Sequence, residues 1–152
     1  MKVTVLLKND HDSLKNLFNN FTKLSGGRAQ EGKKDLFNEI RREMLIHFQM
    51  EQEIFYAALR ESPSARAAEL VSQAEEQHSA AEKLLQELAG MNGTEKNYAA
   101  KMGRLMDDVV RHIDMEEEEI FDEARKNFPE YRLEELGLEM EDRKKILLTL
   151  AA

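Results

Sequence analysis

The sequence has no cysteine and no tryptophan, and it has only two prolines and seven glycines among 152 residues. Without cysteine the chain has no disulfide, no thiolate metal site and no thiol nucleophile. The scarcity of residues that interrupt helices, together with 41% hydrophobic and 34% charged content, favours a helical globular domain. A chain of this length predicts one domain spanning residues 1–152.

Positive charge is also scarce, since 22 Lys and Arg face 30 Asp and Glu and give a net charge of −8. A nucleic-acid surface and an anionic membrane surface both need a basic footprint, so we expect neither as a partner. The apolar run Val3–Leu7 is too short for a signal peptide, and no stretch approaches the roughly 20 residues of a membrane span. We therefore expect a cytoplasmic protein.

Four long segments carry apolar residues at steps of three and four, which is the period of an amphipathic helix. They cover about 10–24, 31–60, 64–89, and from 94 or 97 to 127. Breakers separate them at Ser25-Gly26-Gly27, Ser62-Pro63, around Gly90–Gly93 and at Pro129. Short connections between long helices predict an all-α, up-down-up-down antiparallel four-helix bundle with its core at about 5–128.

A short C-terminal tail, 129–152, follows the predicted bundle. We expect a turn through Gly137 and then an amphipathic helical stretch at 138–150. Its apolar face can cap the bundle or contact a partner, and capping is the favoured reading.

Each of the four histidines falls on the apolar stripe of a different predicted helix: His11, His47, His78 and His112. Glu51 and Glu116 follow the second and fourth histidines by four residues, which places each imidazole and carboxylate on one helix face. A buried carboxylate is costly unless it is paired or binds metal. One such pair is adequately explained as an internal hydrogen bond, but four helices that each send a histidine inward indicate a metal site.

The second and fourth segments align without gaps from His47 to Arg60 and from His112 to Arg125. The sequence therefore predicts two similar helical hairpins, related by a pseudo-two-fold axis. The first three histidines fall at the same height in the bundle. His112 misses that height by about six residues, or roughly 9 Å, unless the fourth helix begins late, near Asn97.

Four histidines and two glutamates are too many ligands for one tetrahedral zinc and too rich in nitrogen for calcium or magnesium. With Glu51 and Glu116 as bridges and the histidines as terminal ligands, they suit a dinuclear iron or manganese centre. Two six-coordinate ions would remain short of protein ligands. Open positions are then available for dioxygen, nitric oxide or peroxide.

Four segments together resemble the hemerythrin-like, or HHE cation-binding, family: Asp10-His11-Asp12, His47-Phe48-Gln49-Met50-Glu51, Glu76-Gln77-His78 and His112-Ile113-Asp114-Met115-Glu116. The resemblance covers about residues 5–128. It implies a bundle around two iron ions, bridged by the two glutamates and an oxo or hydroxo group. Members of the family bind dioxygen, sense oxygen, iron or redox state, or protect against oxidative and nitrosative stress.

The sequence departs from the oxygen-carrying members of that family. Ala74 stands where those proteins have a further histidine on the third helix, and their last bridging acid is an aspartate one residue further from its histidine. Glu75 and Glu82 are candidate replacements for the missing histidine, although a role outside the coordination shell is favoured for both. These departures favour a reactive or sensing centre over reversible oxygen carriage.

Three functions are compatible with a four-helix bundle that carries inward His and Glu residues. The leading one is a di-iron protein that senses or scavenges small oxidants such as oxygen, nitric oxide or peroxide. The second is a peroxide-decomposing enzyme with the same site, and the third is a metal-free helical interaction module. Because the bundle uses most of the chain, any sensing output requires a protein partner or a homo-oligomer.

Overall fold

The computed structural model describes residues 1–24 and 29–151, and this part of the chain is helical with no strand. Its elements are α1 (Val3–Lys23), α2 (Ala29–Met50), a first π-helical turn (Glu51–Tyr56), α3 (Ala57–Glu61), α4 (Ala65–Ala89), α5 (Tyr98–Met115), a second π-helical turn (Glu116–Ile120), α6 (Phe121–Asn127) and α7 (Glu130–Ala151). The expected breaker Ser25-Gly26-Gly27 lies outside the described residues. In the described part, no helix combines the length and the apolar content needed to cross a membrane.

The predicted four-helix bundle is confirmed. Its first helix is α1 and its third is α4, while the second and fourth are the continuous runs α2–α3 and α5–α6, each with a π-helical turn inside. α1 packs on α2, and α4 packs on α5. α1 begins at Val3 rather than near residue 10, because Val3, Leu6 and Leu7 face the core and extend its apolar stripe.

Local chemistry sets the helix boundaries next to the two described bundle connections. Ser64 caps α4, since its Oγ accepts a hydrogen bond from the Ala67 backbone N–H at 3.0 Å. In the second connection Glu95 accepts the backbone N–H groups of Asn92 and Gly93, each at 3.0 Å. The fourth helix consequently begins late, at Tyr98. This late start removes the height mismatch of His112.

The two π-helical turns begin at the glutamates of the two HxxxE pairs, Glu51 and Glu116. Such turns are rare and often occur at functional sites, because they locally widen the helix and redirect its side chains. The two π-helical turns therefore begin at equivalent positions in the gap-free alignment of residues 47–60 with 112–125. Residue propensities do not indicate a π-helical turn, and these two were not predicted from the sequence.

α7 is longer and more regular than expected. It is one continuous helix, and Gly137 lies inside it instead of forming a turn. A Cβ at Gly137 would lie 1.9 Å from the Met1 carbonyl oxygen, so only glycine lets the helix approach the N-terminal backbone this closely. α7 packs against α1 and α2 and buries one apolar stripe: Leu133, Leu136, Met140 and Leu147. It therefore lies along the side of the bundle formed by α1 and α2 and covers the apolar cluster at the start of α1, so the expected apolar face packs on the bundle from the side.

The apolar core is divided into two clusters along the bundle axis. One contains the start of α1, the first π-helical turn, the start of α4 and the inner face of α7. The other contains the second half of α1 and most of α5. The histidines and the two glutamates lie at or beside the boundary between these clusters on every bundle helix, so they form a polar layer inside an apolar core.

Candidate metal centre

All six predicted ligands of the main set are buried in this layer, and none is more than 5% exposed. His11 comes from α1, His78 from α4, and each HxxxE pair from the end of a helix and the following π-helical turn. The four Nε2 atoms point toward the two glutamates. The structure thus brings together the residues that the sequence singled out: His11, His47, Glu51, His78, His112 and Glu116.

The first of two ligand clusters consists of His11, His47, Glu51 and Glu116. The two Nε2 atoms are 3.2 Å apart. His11 Nε2 lies 3.2 Å from Glu116 Oε1, and His47 Nε2 lies 3.2 Å from Glu51 Oε1. Two imidazole nitrogens and two carboxylates within 4.8 Å of one another are a donor set for one divalent cation.

The second cluster consists of Glu51, His78 and His112. The Nε2 atoms of His78 and His112 are 3.2 Å apart and lie 3.1 and 3.9 Å from the same Glu51 Oε1. Glu116 Oε2 lies 3.6 Å from His112 Nε2. Glu51 therefore belongs to both clusters, and Glu116 reaches from the first toward the second.

The two further glutamates proposed from the sequence lie outside both clusters. Glu82 is on the exposed face of α4. Glu75 pairs with Arg60 across the α3–α4 contact, and this guanidinium lowers the pKa of the carboxyl. Neither geometry places a carboxylate oxygen next to His78, so the position of the missing histidine is not filled by either side chain as arranged here.

A ring of polar side chains outside the clusters holds the Nδ1 atoms of the histidines. Glu117 Oε2 lies 2.6 Å from His11 Nδ1, and Asp10 Oδ2 lies 3.4 Å from His47 Nδ1. With Nε2 left for a metal, each Nδ1–H donates to a carboxylate, and this fixes the tautomer.

The other two histidines contact amides. Gln77 Oε1 lies 2.6 Å from His112 Nδ1, and the Gln52 amide lies 3.2 Å from His78 Nδ1. A half-turn of the Gln52 amide presents its oxygen to an Nδ1–H donor. Sequence reasoning missed all four outer residues, although each is the direct neighbour of a ligand in the chain.

The two carboxyl groups of the layer have pKa values shifted in opposite directions. Burial and the neighbouring charge of Glu51 raise the pKa of Glu116. Burial also opposes ionisation of Glu51, but the neighbouring charge of His47 holds the Glu51 pKa well below its usual range. Two carboxylates so close together repel each other when both are ionised, and a cation between them removes that repulsion.

Tyr56 is the one phenol at this layer among the described residues. It is fully buried, its hydroxyl donates to Glu116 Oε2, and its oxygen lies 3.5 Å from His78 Nε2. Burial and the charges of Glu116 and Glu51 raise the Tyr56 pKa well above the ordinary value. The pseudo-two-fold counterpart of Tyr56 is Phe121, whose ring stacks near His11 at 6.1 Å between centroids.

The donor set fits a pair of metal ions. Both Glu51 oxygens and Glu116 Oε1 are buried without a hydrogen-bond partner, an arrangement that a protein core rarely tolerates. With the Nδ1 atoms engaged as donors, the Nε2 lone pairs face one another across 3.2 Å. Cations bound there would satisfy the orphaned oxygens and the opposed nitrogens together.

A helical bundle that encloses two His/Glu clusters joined by one glutamate is a cation-binding bundle. The family model described as "Hemerythrin HHE cation binding domain" matches residues 3–124, and the chain belongs to this family. A crystal structure of a hemerythrin HHE cation-binding domain-containing protein from Mycobacterium kansasii is similar at a TM-score of 0.83 and 24% identity. The match covers 97% of this chain and 87% of that chain. No curated protein sequence matches.

Proposed function

We propose that this protein is a non-haem di-iron protein of the cytoplasm that senses or scavenges a small oxidant such as oxygen, nitric oxide or peroxide. The observation that carries the proposal is the set of carboxylate oxygens on Glu51 and Glu116 that lack a hydrogen-bond partner and face four imidazole nitrogens in a buried layer. A metal-free interaction module would gain nothing from these orphaned groups, each of which costs about 1–3 kcal/mol when buried unpaired.

We propose two ions rather than one because both ligand clusters share one glutamate. Glu51 lies in both ligand clusters, and the clusters otherwise have separate histidine pairs. Imidazole with carboxylate is the ligand mixture of non-haem iron sites, and inward Glu and His side chains in a bundle typify dinuclear carboxylate centres. Iron is the proposed metal, and manganese is the competitor that the same ligands suit.

The second cluster supports binding of a small ligand there. It offers three protein ligands against four in the first cluster, so an ion held by His78 and His112 keeps more open positions. When bound, the two iron ions would supply a redox centre at that place. Tyr56 holds Glu116 from the same side, and the surrounding apolar clusters exclude bulk water.

Metal loading of matched variants tests the proposal. Glu51→Gln removes the carboxylate that both clusters use, whereas Glu82→Gln removes the same charge from an exposed position. After anaerobic reconstitution with ferrous iron, we expect the Glu82→Gln protein to retain close to two irons per chain and the Glu51→Gln protein to retain fewer than one. Equal iron content in both variants would overturn the assignment of Glu51 as the bridge.

A peroxide-decomposing enzyme is the second candidate, favoured by the open second cluster with its adjacent phenol. Adding hydrogen peroxide to the reconstituted protein separates the two functions. A scavenger or sensor consumes peroxide in proportion to its iron, whereas an enzyme releases oxygen over many turnovers. Sustained oxygen release that disappears in His78→Ala would replace the first proposal with the second.

A further inference from the structure

We propose that the two metal positions are unequal, and that the position of His11 and His47 takes the first divalent cation because carboxylates, rather than amides, hold its histidines. This inference rests on the proposed function, since it assigns an order to the same pair of ions. It concerns Asp10, Glu117, Gln52 and Gln77, which lie outside the ligand clusters.

The four outer residues occupy positions related by the pseudo-two-fold axis, but the residues in each related pair differ in charge. Glu117 follows Glu116 and contacts His11, and its counterpart Gln52 follows Glu51 and contacts His78. In the same way Asp10 contacts His47, and its counterpart Gln77 contacts His112. One histidine pair therefore has two anionic partners, and the other pair has two neutral partners.

The outer carboxylates are held in place from the solvent side. Glu117 uses Oε2 for His11 and has Oε1 3.9 Å from Lys8 Nζ. Asp10 uses Oδ2 for His47 and Oδ1 for Lys144 Nζ, at 2.7 Å. The lysines partly offset the negative charge, but each leaves the histidine-facing oxygen as an acceptor. Lys144 belongs to α7, so the C-terminal helix takes part in positioning a ligand.

The chemical consequence is a stronger donor at the first position. A hydrogen bond from Nδ1–H to a carboxylate is about twice as strong as one to a neutral amide, and it makes Nε2 more basic. Loss of such an outer partner commonly lowers metal affinity by about 10- to 100-fold. Glu117 makes the shorter contact, at 2.6 Å against 3.4 Å for Asp10, so we expect it to contribute more.

Single-position proteins measure each affinity without interference from the other ion. His78→Ala keeps the first position intact, and His11→Ala keeps the second. We expect anaerobic titration with Co²⁺, followed by visible absorption and calorimetry, to give a dissociation constant about 10- to 100-fold lower for His78→Ala. Equal or reversed constants would overturn the inference.

Because the first position also has one more ligand, exchanges of the outer partners provide the decisive comparison. In His78→Ala, the further change Glu117→Gln should weaken Co²⁺ binding about 10-fold, whereas Glu118→Gln, which removes an exposed charge next to it, should leave it unchanged. In His11→Ala, Gln52→Glu should tighten binding. A Glu117→Gln change that matches Glu118→Gln would show that the carboxylate does not tune this position.

If the histidine variants do not fold, as judged by circular dichroism, the comparison moves to the otherwise intact chain. There Glu117→Gln should lower the affinity for the first equivalent of Co²⁺ about 10-fold relative to Glu118→Gln. Two ions bound with no difference between these variants would overturn the inference alone. Failure of the unsubstituted chain to bind Co²⁺ or Fe²⁺ would overturn the proposed function as well.

Discussion

At the scale of single residues, the sequence identified the inward side chains but not their supports. The HxxxE spacing and the apolar stripes locate His47, Glu51, His112 and Glu116, because a helix of known period determines which residues share a face. The residues that contact the Nδ1 atoms cannot be predicted from helix period, because each of them contacts a histidine on a different helix. Glu117, for example, lies next to Glu116 in the chain but contacts His11 across the bundle.

Tyr56 gives a prediction at this scale. Tyr56→Phe removes the hydroxyl that donates to Glu116 and leaves that carboxylate oxygen without a partner. We expect the metal-free protein to lose about 1–3 kcal/mol of unfolding free energy, measured by urea denaturation. Because the substitution keeps the ring, circular dichroism should be unchanged. An unaltered unfolding free energy would show that the hydroxyl does not satisfy Glu116.

At the scale of secondary-structure elements, periodicity predicted the four bundle helices, while three features required the tertiary structure. Val3–Leu7 extends α1 because α7 covers its apolar residues, and α7 continues through Gly137 because the N-terminal backbone packs there. Glycine is unfavourable inside a helix relative to alanine, and the sequence therefore predicted a turn at Gly137. The π-helical turns at Glu51 and Glu116 have no signature in residue propensity.

The role of Gly137 is tested against a second helical glycine. Gly137→Ala would place a methyl group on the Met1 backbone, and we expect a loss of about 1–3 kcal/mol in unfolding free energy as α7 shifts. Gly103→Ala, with nothing within 4 Å of its added Cβ, should instead stabilise the protein by about 0.5–1 kcal/mol. Thermal unfolding of both variants checks the pair, and a neutral or stabilising Gly137→Ala would contradict the close contact.

At the scale of the whole molecule, the apolar core of the bundle is interrupted by one polar layer. The two apolar clusters hold the helices together, and the layer between them carries buried carboxylates that destabilise the metal-free fold. We therefore expect folding and metal binding to be coupled. Only the class of function was predictable from the sequence. The choice of small ligand depends on distances within the site and on the polar residues around the ligand clusters, which one sequence does not specify.

This coupling predicts a large effect of metal on stability. Binding to the native state alone adds about 2.7 kcal/mol at a free metal concentration 100 times the dissociation constant. We expect the unfolding temperature to rise with ferrous iron under anaerobic conditions and to return to the metal-free value after chelation. In Glu51→Gln the rise should be much smaller, and a rise equal to that of the unsubstituted protein would contradict coupling through the shared glutamate.

Two iron ions per chain, bound in the layer between the apolar clusters, are the basis of the proposed function. Its most direct test is an anaerobic titration of the metal-free protein with ferrous iron, followed by air oxidation and a visible spectrum before and after reduction. We expect an end point near two irons per chain and a ferric absorption band that reduction bleaches. A protein that binds no iron under these conditions would contradict it, and its six buried residues would then form a polar network in a helical interaction module.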